Sequence, residues 1–261
     1  MATNHRVDAA IGGIAGLASG LLGVGGGFLM VPLQVIWGHT NQHRATGTSL
    51  AAILPIALVG ALVYYFGRSV PEVDITVAFF LVLGSAAGAY AGSRVAPRLS
   101  EQALKILVAV VLAVVGAKEL YDGVFGEAAR AVSYGAPNLG PLQYVLIVVS
   151  GLVIGVLSGL TGVGGGIFIV PVLVIGFGLA QRLAQGTSLV AILPTAAVGA
   201  LTHYTQGDVD LRSARWIAIA GVPAVLLGAA LALWLPQRVL VILFGAFLLI
   251  AAARMWPRRS S

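Results

Sequence analysis

The chain contains no cysteine. Disulfides, iron–sulfur clusters and thiolate zinc sites are therefore excluded, and the compartment is left open. Charge is almost as scarce. Asp, Glu, Lys and Arg make up 9% of 261 residues, against about 25% in soluble domains, too few to coat a soluble fold. Residues 9–43, 45–67, 75–93, 131–181, 183–207 and 216–237 hold none of the four. The histidines, His5, His39, His43 and His203, show no ligand spacing, so no metal is expected. Neither a G-x-x-x-x-G-K-S/T phosphate loop nor a G-x-G-x-x-G turn occurs. No His/Asp pair or Glu-x-x-His set stands in register, so the reading is a non-enzyme without a cofactor.

What is present is apolar: 59% of residues are hydrophobic and the mean hydropathy is +0.99. Most of the charge-free stretches reach the ~20 residues a transmembrane helix needs. The fold class is all-α, a polytopic membrane protein. The net charge of +6 sits at the ends of apolar segments, where basic residues anchor spans and bias topology. Lys118 and Glu119 close one segment and are read as snorkelling to the interface. No basic run is interleaved with aromatics, so nucleic acid is not an expected partner. Residues 1–8 lead into the first apolar stretch without a cleavage pattern and are read as retained structure.

The chain repeats itself. Gly23-Val24-Gly25-Gly26-Gly27 returns 139 positions later as Gly162-Val163-Gly164-Gly165-Gly166, each copy between a Ser-Gly and a Val-Pro. From Gly12 to Tyr65 this shift makes 30 of 54 positions identical without a gap. The chain divides into a first membrane repeat (1–121), a linker (122–141) and a second membrane repeat (142–261). The first apolar stretch, Val7 to Trp37, has 31 residues. A continuous helix of that length would run ~46 Å against a hydrocarbon core of ~30 Å. Its three adjacent glycines each cost ~1 kcal/mol relative to alanine in a helix. Each repeat thus reads as a glycine-broken or re-entrant first helix plus three further spans. Re-entrant first helices make the repeats inverted and gather ten of the 15 basic residues on one side, with both termini cytoplasmic. Crossing first helices make them parallel, with a division of nine to six. The positive-inside rule favours inversion.

Irregular backbone at membrane depth survives only when buried in protein or lining a wet cavity. Its unpaired N–H groups attract anions, and duplicated transporters bind substrate at paired discontinuous helices. The candidate donors are the backbones of Gly25, Gly26, Gly27, Gly164, Gly165 and Gly166. The hydroxyls of Thr48, Ser49, Thr187 and Ser188 join them, with the amides of Gln42 and Gln181. For the hydroxyls, helix capping or bonding to their own backbone is an equal reading; for the glutamines, an interfacial place is. Gly12, Gly16 and Gly20, four apart, read as helix packing. No intramembrane carboxylate stands out as a proton or sodium relay.

The paired stretches LLGVGGGFLMVP and LTGVGGGIFIVP, each followed by GTSL and ILP, resemble the sulfite exporter TauE/SafE family of permeases. The resemblance covers nearly the whole chain. It implies transport of sulfite or a small organosulfonate, usually outward, across the inner membrane. The implied partners are a small anion and the bilayer, with homo-oligomer formation open. The alternatives are an anion channel, a permease for a different small anion and a scaffold subunit.

Overall fold

The structure, a computed structural model, describes residues 5–95, 101–126, 139–161 and 165–255. Ten α-helices are found among them: α1 (His5–Leu22), α2 (Gly27–Ile36), α3 (Gln42–Phe66), α4 (Ile75–Val95), α5 (Glu101–Phe125), α6 (Pro141–Thr161), α7 (Gly166–Pro171), α8 (Gln181–Thr205), α9 (Leu211–Trp234) and α10 (Gln237–Met255). α7 runs on into one stretch of π-helix, Val172–Gly176. The expected all-α fold stands, and helix enters the 122–141 linker from both ends. Residues 127–138 lie outside the described residues.

The first apolar stretch is broken where the glycines stand. Gly23, Gly25 and Gly26 have φ of 70°, 78° and 76°, a left-handed backbone that a Cβ makes costly. The right-handed spiral stops at Leu22 and restarts at Gly27. In the second copy Gly165 has φ 75° and helix resumes at Gly166, while Gly162, Val163 and Gly164 lie outside the described residues. Pro55 and Pro194, by contrast, sit inside unbroken helices of 25 residues each. One missing hydrogen bond is tolerated when neighbours pack against the freed group.

Packing follows the glycine faces. Gly12, Gly16 and Gly20 of α1 lie against the backbone of Ile217, Gly221 and Val225 of α9. Residue numbers rise together, so the two helices run in the same direction. α4 and α6 do likewise, with Gly84 and Gly88 against Val148 and Leu152, and Gly151 and Gly155 against Leu81 and Ser85. The other two main pairings run oppositely. Gly47 meets His203 and Gly60 meets Leu189 between α3 and α8, while Gly116 meets Leu248 and Gly123 meets Ile242 between α5 and α10.

Two reciprocal hydrogen bonds tie the halves. The Asp210 N–H, at the start of α9, donates to Thr48 Oγ1 at 3.0 Å, and the Asp74 N–H, before α4, donates to Thr187 Oγ1 at 2.9 Å. Both aspartates also accept from the first turn that follows them, as helix caps do. Thr48→Val and Thr187→Val should each cost about 1 kcal/mol. The two sites share no partner, so the double variant should lose about the sum, read as the unfolding midpoint in detergent.

Five described helices are long and apolar enough to cross a membrane: Gln42–Phe66, Pro141–Ser158, Gln181–Thr205, Leu211–Trp234 and Gln237–Met255. Large apolar side chains cover their outer faces, among them Leu62, Val198, Leu201 and Leu227, and Trp234 is 89% exposed. Exposed apolar surface this extensive does not suit a soluble monomer. It suits lipid.

Candidate functional site

The chain enters the first break with the Gly23 N–H donating to Ser19 O at 2.8 Å. It leaves with the N–H groups of Leu29 and Met30 donating to Gly26 O at 3.0 Å. Between them, the N–H groups of Val24, Gly25, Gly26, Gly27 and Phe28 have no acceptor among the described residues. Val24 to Gly27 are buried. The second break repeats the exit: Gly165 O accepts from Phe168 and Ile169 at 3.0 and 3.2 Å, and the Gly166 and Ile167 amides have no acceptor among the described residues. Buried unpaired N–H groups are rare in folded proteins. A run of them makes the break a candidate place for a ligand.

The breaks touch. Gly166 lies so close to the Val24 carbonyl that a side chain at 166 would overlap it. Ile192 of α8 packs on both, with its Cδ1 2.6 Å from where a Gly166 Cβ would stand and 3.0 Å from that of Gly25. Gly23 rests on Gln185, whose Cα and Cβ would be 2.5 and 2.6 Å from a Cβ there. Residues 181, 185, 188 and 192 share one face of α8 at helical spacing. That face therefore runs along the meeting of the breaks.

Three polar groups beside the breaks lack partners. Gln185 and Ser188 on α8 and Ser19 on α1 are 0% exposed, yet Gln185 Nε2, Ser188 Oγ and Ser19 Oγ have no hydrogen-bond partner among the described residues. Ser19 stands one turn beyond Ala15, whose carbonyl abuts Gly26. Tyr64 of α3 reaches in from the other side, its hydroxyl 2.9 Å from Gly20 O and 3.0 Å from Gln185 Oε1. One hydroxyl proton serves two acceptors here, unless the Gln185 amide is turned so that its NH2 donates to Tyr64. In either orientation one end of that amide is left over.

The sequence candidates divide into three groups. Gly25, Gly26, Gly27, Gly165 and Gly166 form the breaks, Ser188 lies on α8 between Gln185 and Ile192, which touch them, and Gly164 lies outside the described residues. Ser49 is buried but engaged: Gln34 Nε2 of α2 donates to its Oγ at 2.8 Å and also reaches Ala45 O at 3.3 Å. Thr48 and Thr187 serve the caps described above. Gln181, one turn before Gln185, is 3% exposed, and neither amide atom has a partner among the described residues. Its counterpart Gln42 is exposed at the start of α3.

Ser19, Tyr64, Gln185 and Gln34 escaped the sequence reading. Three of them occupy positions where the halves differ: Gln185 stands opposite Thr46, Tyr64 opposite His203 and Gln34 opposite Leu173. Glu119 is a correction. It does not snorkel but is buried against Gly245 of α10, 1% exposed, with Oε1 unpartnered. Lys118 alone turns outward, pairing with Asp122 at 2.5 Å.

Fixed charge lies to one side. Arg182 of α8 is buried and donates from Nε to Ala232 O at 3.1 Å and from Nη2 to Leu235 O, at the C-terminus of α9. Glu72, in the turn before α4, pairs with Arg68 at 3.6 Å. Burial raises its carboxyl above the ordinary glutamate range, and Arg182 and Arg68 pull it back.

Comparison with known proteins gives a consistent picture. The family model described as "Sulfite exporter TauE/SafE" matches residues 2–119 and 147–261. A probable membrane transporter protein of Xylella fastidiosa is 30% identical over 224 residues, covering 85% of this chain and 82% of its own length. The probable membrane transporter protein YdhB of Bacillus subtilis is 30% identical over 203 residues, covering 76% and 78%. YunE of the same organism, also named a probable membrane transporter protein, is 25% identical over 238 residues, covering 85% and 84%.

Proposed function

The chain belongs to the sulfite exporter TauE/SafE family of membrane transporters, and from that premise we propose that it exports a small sulfur oxyanion, sulfite or an organosulfonate, held where the two glycine breaks meet. The observation that carries this reading is the convergence of buried amides with no acceptor among the described residues, from Val24–Gly27 and Gly166–Ile167. Such N–H groups attract negative charge, and at this depth bulk water does not compete for the ligand. The glycine backbones at 25–27 and 164–166 supply amides. Of the candidate side chains Ser49, Ser188, Thr48, Thr187, Gln42 and Gln181, Ser188 is the one best placed to reach the substrate.

Two homologous, inverted repeats fit the geometry. Helices 139 residues apart, α3 and α8, meet antiparallel, and so do α5 and α10. That arrangement suits a two-fold axis lying in the membrane plane. With both termini in the cytoplasm, an inner-membrane potential favours outward movement of anions by about 2.3 kcal/mol per charge per 100 mV. Export then needs no coupling ion.

Proteoliposomes with an imposed inside-negative potential test this function. Sulfite or an organosulfonate should leave the lumen at a rate that saturates with concentration. Flux that never saturates would make the protein a channel, and no flux of any sulfur anion would end the proposal.

A further inference from the structure

The unpartnered side chains beside the breaks belong to one side. Gln185, Ser188 and Ser19 are fully buried and have free polar atoms. The matching positions on α3 offer no such set. Gln34 closes Ser49, threonine stands at 46 and Gln42 is exposed. The asymmetry has a simple origin: Leu173 occupies the position corresponding to Gln34, so no amide reaches Ser188. From Gln181 through Gln185 to Ser188 the free groups cover about 10 Å along the α8 axis.

Resting on the anion reading above, we propose that the substrate is gripped from the α8 side, by Gln185 and Ser188 with Ser19 of α1, and that this uncharged donor set selects singly charged oxyanions over doubly charged ones. The groups at the breaks are hydroxyls, one carboxamide and backbone N–H, all neutral. Attraction to fixed neutral dipoles grows in proportion to the ligand's charge. The cost of stripping its water grows roughly as the square, so doubling the charge raises that cost about fourfold. A neutral cage therefore turns against a dianion. The nearby charges do not reverse this. Arg182 stays cationic, but it donates to carbonyls at the negative end of α9 and is attracted to Glu72; Glu72 also pairs with Arg68, and Tyr64, which contacts Gln185, is a neutral phenol.

Methanesulfonate keeps one charge across the physiological pH range, sulfate keeps two, and sulfite passes from one to two near neutrality. In proteoliposomes at fixed potential, methanesulfonate efflux should be constant from mildly acidic to mildly alkaline pH. Sulfite efflux should fall as pH rises, and sulfate efflux should be at least tenfold slower than methanesulfonate. Ser188→Ala and Gln185→Leu should each lower methanesulfonate efflux at least fivefold, and Thr46→Val should not change it. Sulfate moving as fast as methanesulfonate overturns the charge selection. Unchanged efflux in both α8 variants, when Gly26→Val abolishes it, overturns the one-sided grip while leaving the glycine site standing. A wild-type protein that moves none of the three anions overturns both readings. Purified Ser188→Ala with a wild-type elution profile separates loss of grip from loss of fold.

Discussion

Gly26→Val and Gly165→Val are expected to cut sulfite efflux at least tenfold while leaving the protein inserted and monodisperse. Both glycines hold left-handed φ, 76° and 75°, where an L side chain costs roughly 1–2 kcal/mol and a β-branched one is a clear outlier. At Gly165 the nearest atoms to an added Cβ belong to Ser158, 3.4 Å away, so there is room and the penalty is conformational. At Gly26 the Ala15 carbonyl oxygen would be 2.9 Å away, which adds a clash. The backbone relieves such strain by rotating the peptide planes around the break, and those planes carry the unpaired amides. Helices α1 and α6 pack through other glycines, so the bundle is spared. Gly165→Asn makes the contrast sharp, because asparagine tolerates the left-handed region and should retain most of the flux. Wild-type efflux from Gly165→Val vesicles would remove the break from the mechanism.

The second large effect falls on folding. A Cβ on Gly84 would overlap the Val148 carbonyl and come within 2.8 Å of Leu152 N, and one on Gly16 would lie 2.8 Å from Gly221 Cα. The obstructing atoms are backbone, so no rotamer change relieves them. The paired helices must separate. Overpacking costs about 1–3 kcal/mol, occasionally more, in proteins whose whole stability is about 5–15 kcal/mol. Gly84→Val and Gly16→Val should yield little monodisperse protein in detergent, and what is recovered should unfold at a distinctly lower temperature. Gly13 is the control. Nothing lies within 4 Å of an added Cβ there, so Gly13→Ala should stabilise by up to ~1 kcal/mol through helix propensity. Equal loss at Gly13 and Gly16 would refute close helix approach as the reason for the α1 glycine ladder.

Much of this was legible in the residues. The scarcity of charge gave the class, and the triple glycine gave the position of the break, because the cost of glycine in a helix is local. The spacing of Gly12, Gly16 and Gly20 points to packing, which α9 supplies, although that partner is not visible from spacing. What the sequence concealed depends on neighbours distant along the chain. Thr48 looked like a site residue because it repeats, yet its hydroxyl serves the Asp210 N–H, 162 residues away. Polar side chains beside the breaks also lie where the halves part, not only where they agree. Gln185, Tyr64 and Gln34 are departures from the repeat, and these three decide which hydroxyls are occupied. Glu119 misled for a related reason. A charge near the end of an apolar run reads as interfacial, and only the approach of α10 through Gly245 encloses it.

The crossed pairing of α1 with α9 and of α4 with α6 bears on how the molecule is made. Neither half buries its own first helix, because the partner for each glycine ladder is encoded in the other half. During synthesis the partner of the N-terminal ladder, α9, is the last but one of the described helices to emerge. The packing of either half is completed only by the other, so each serves as the other's scaffold.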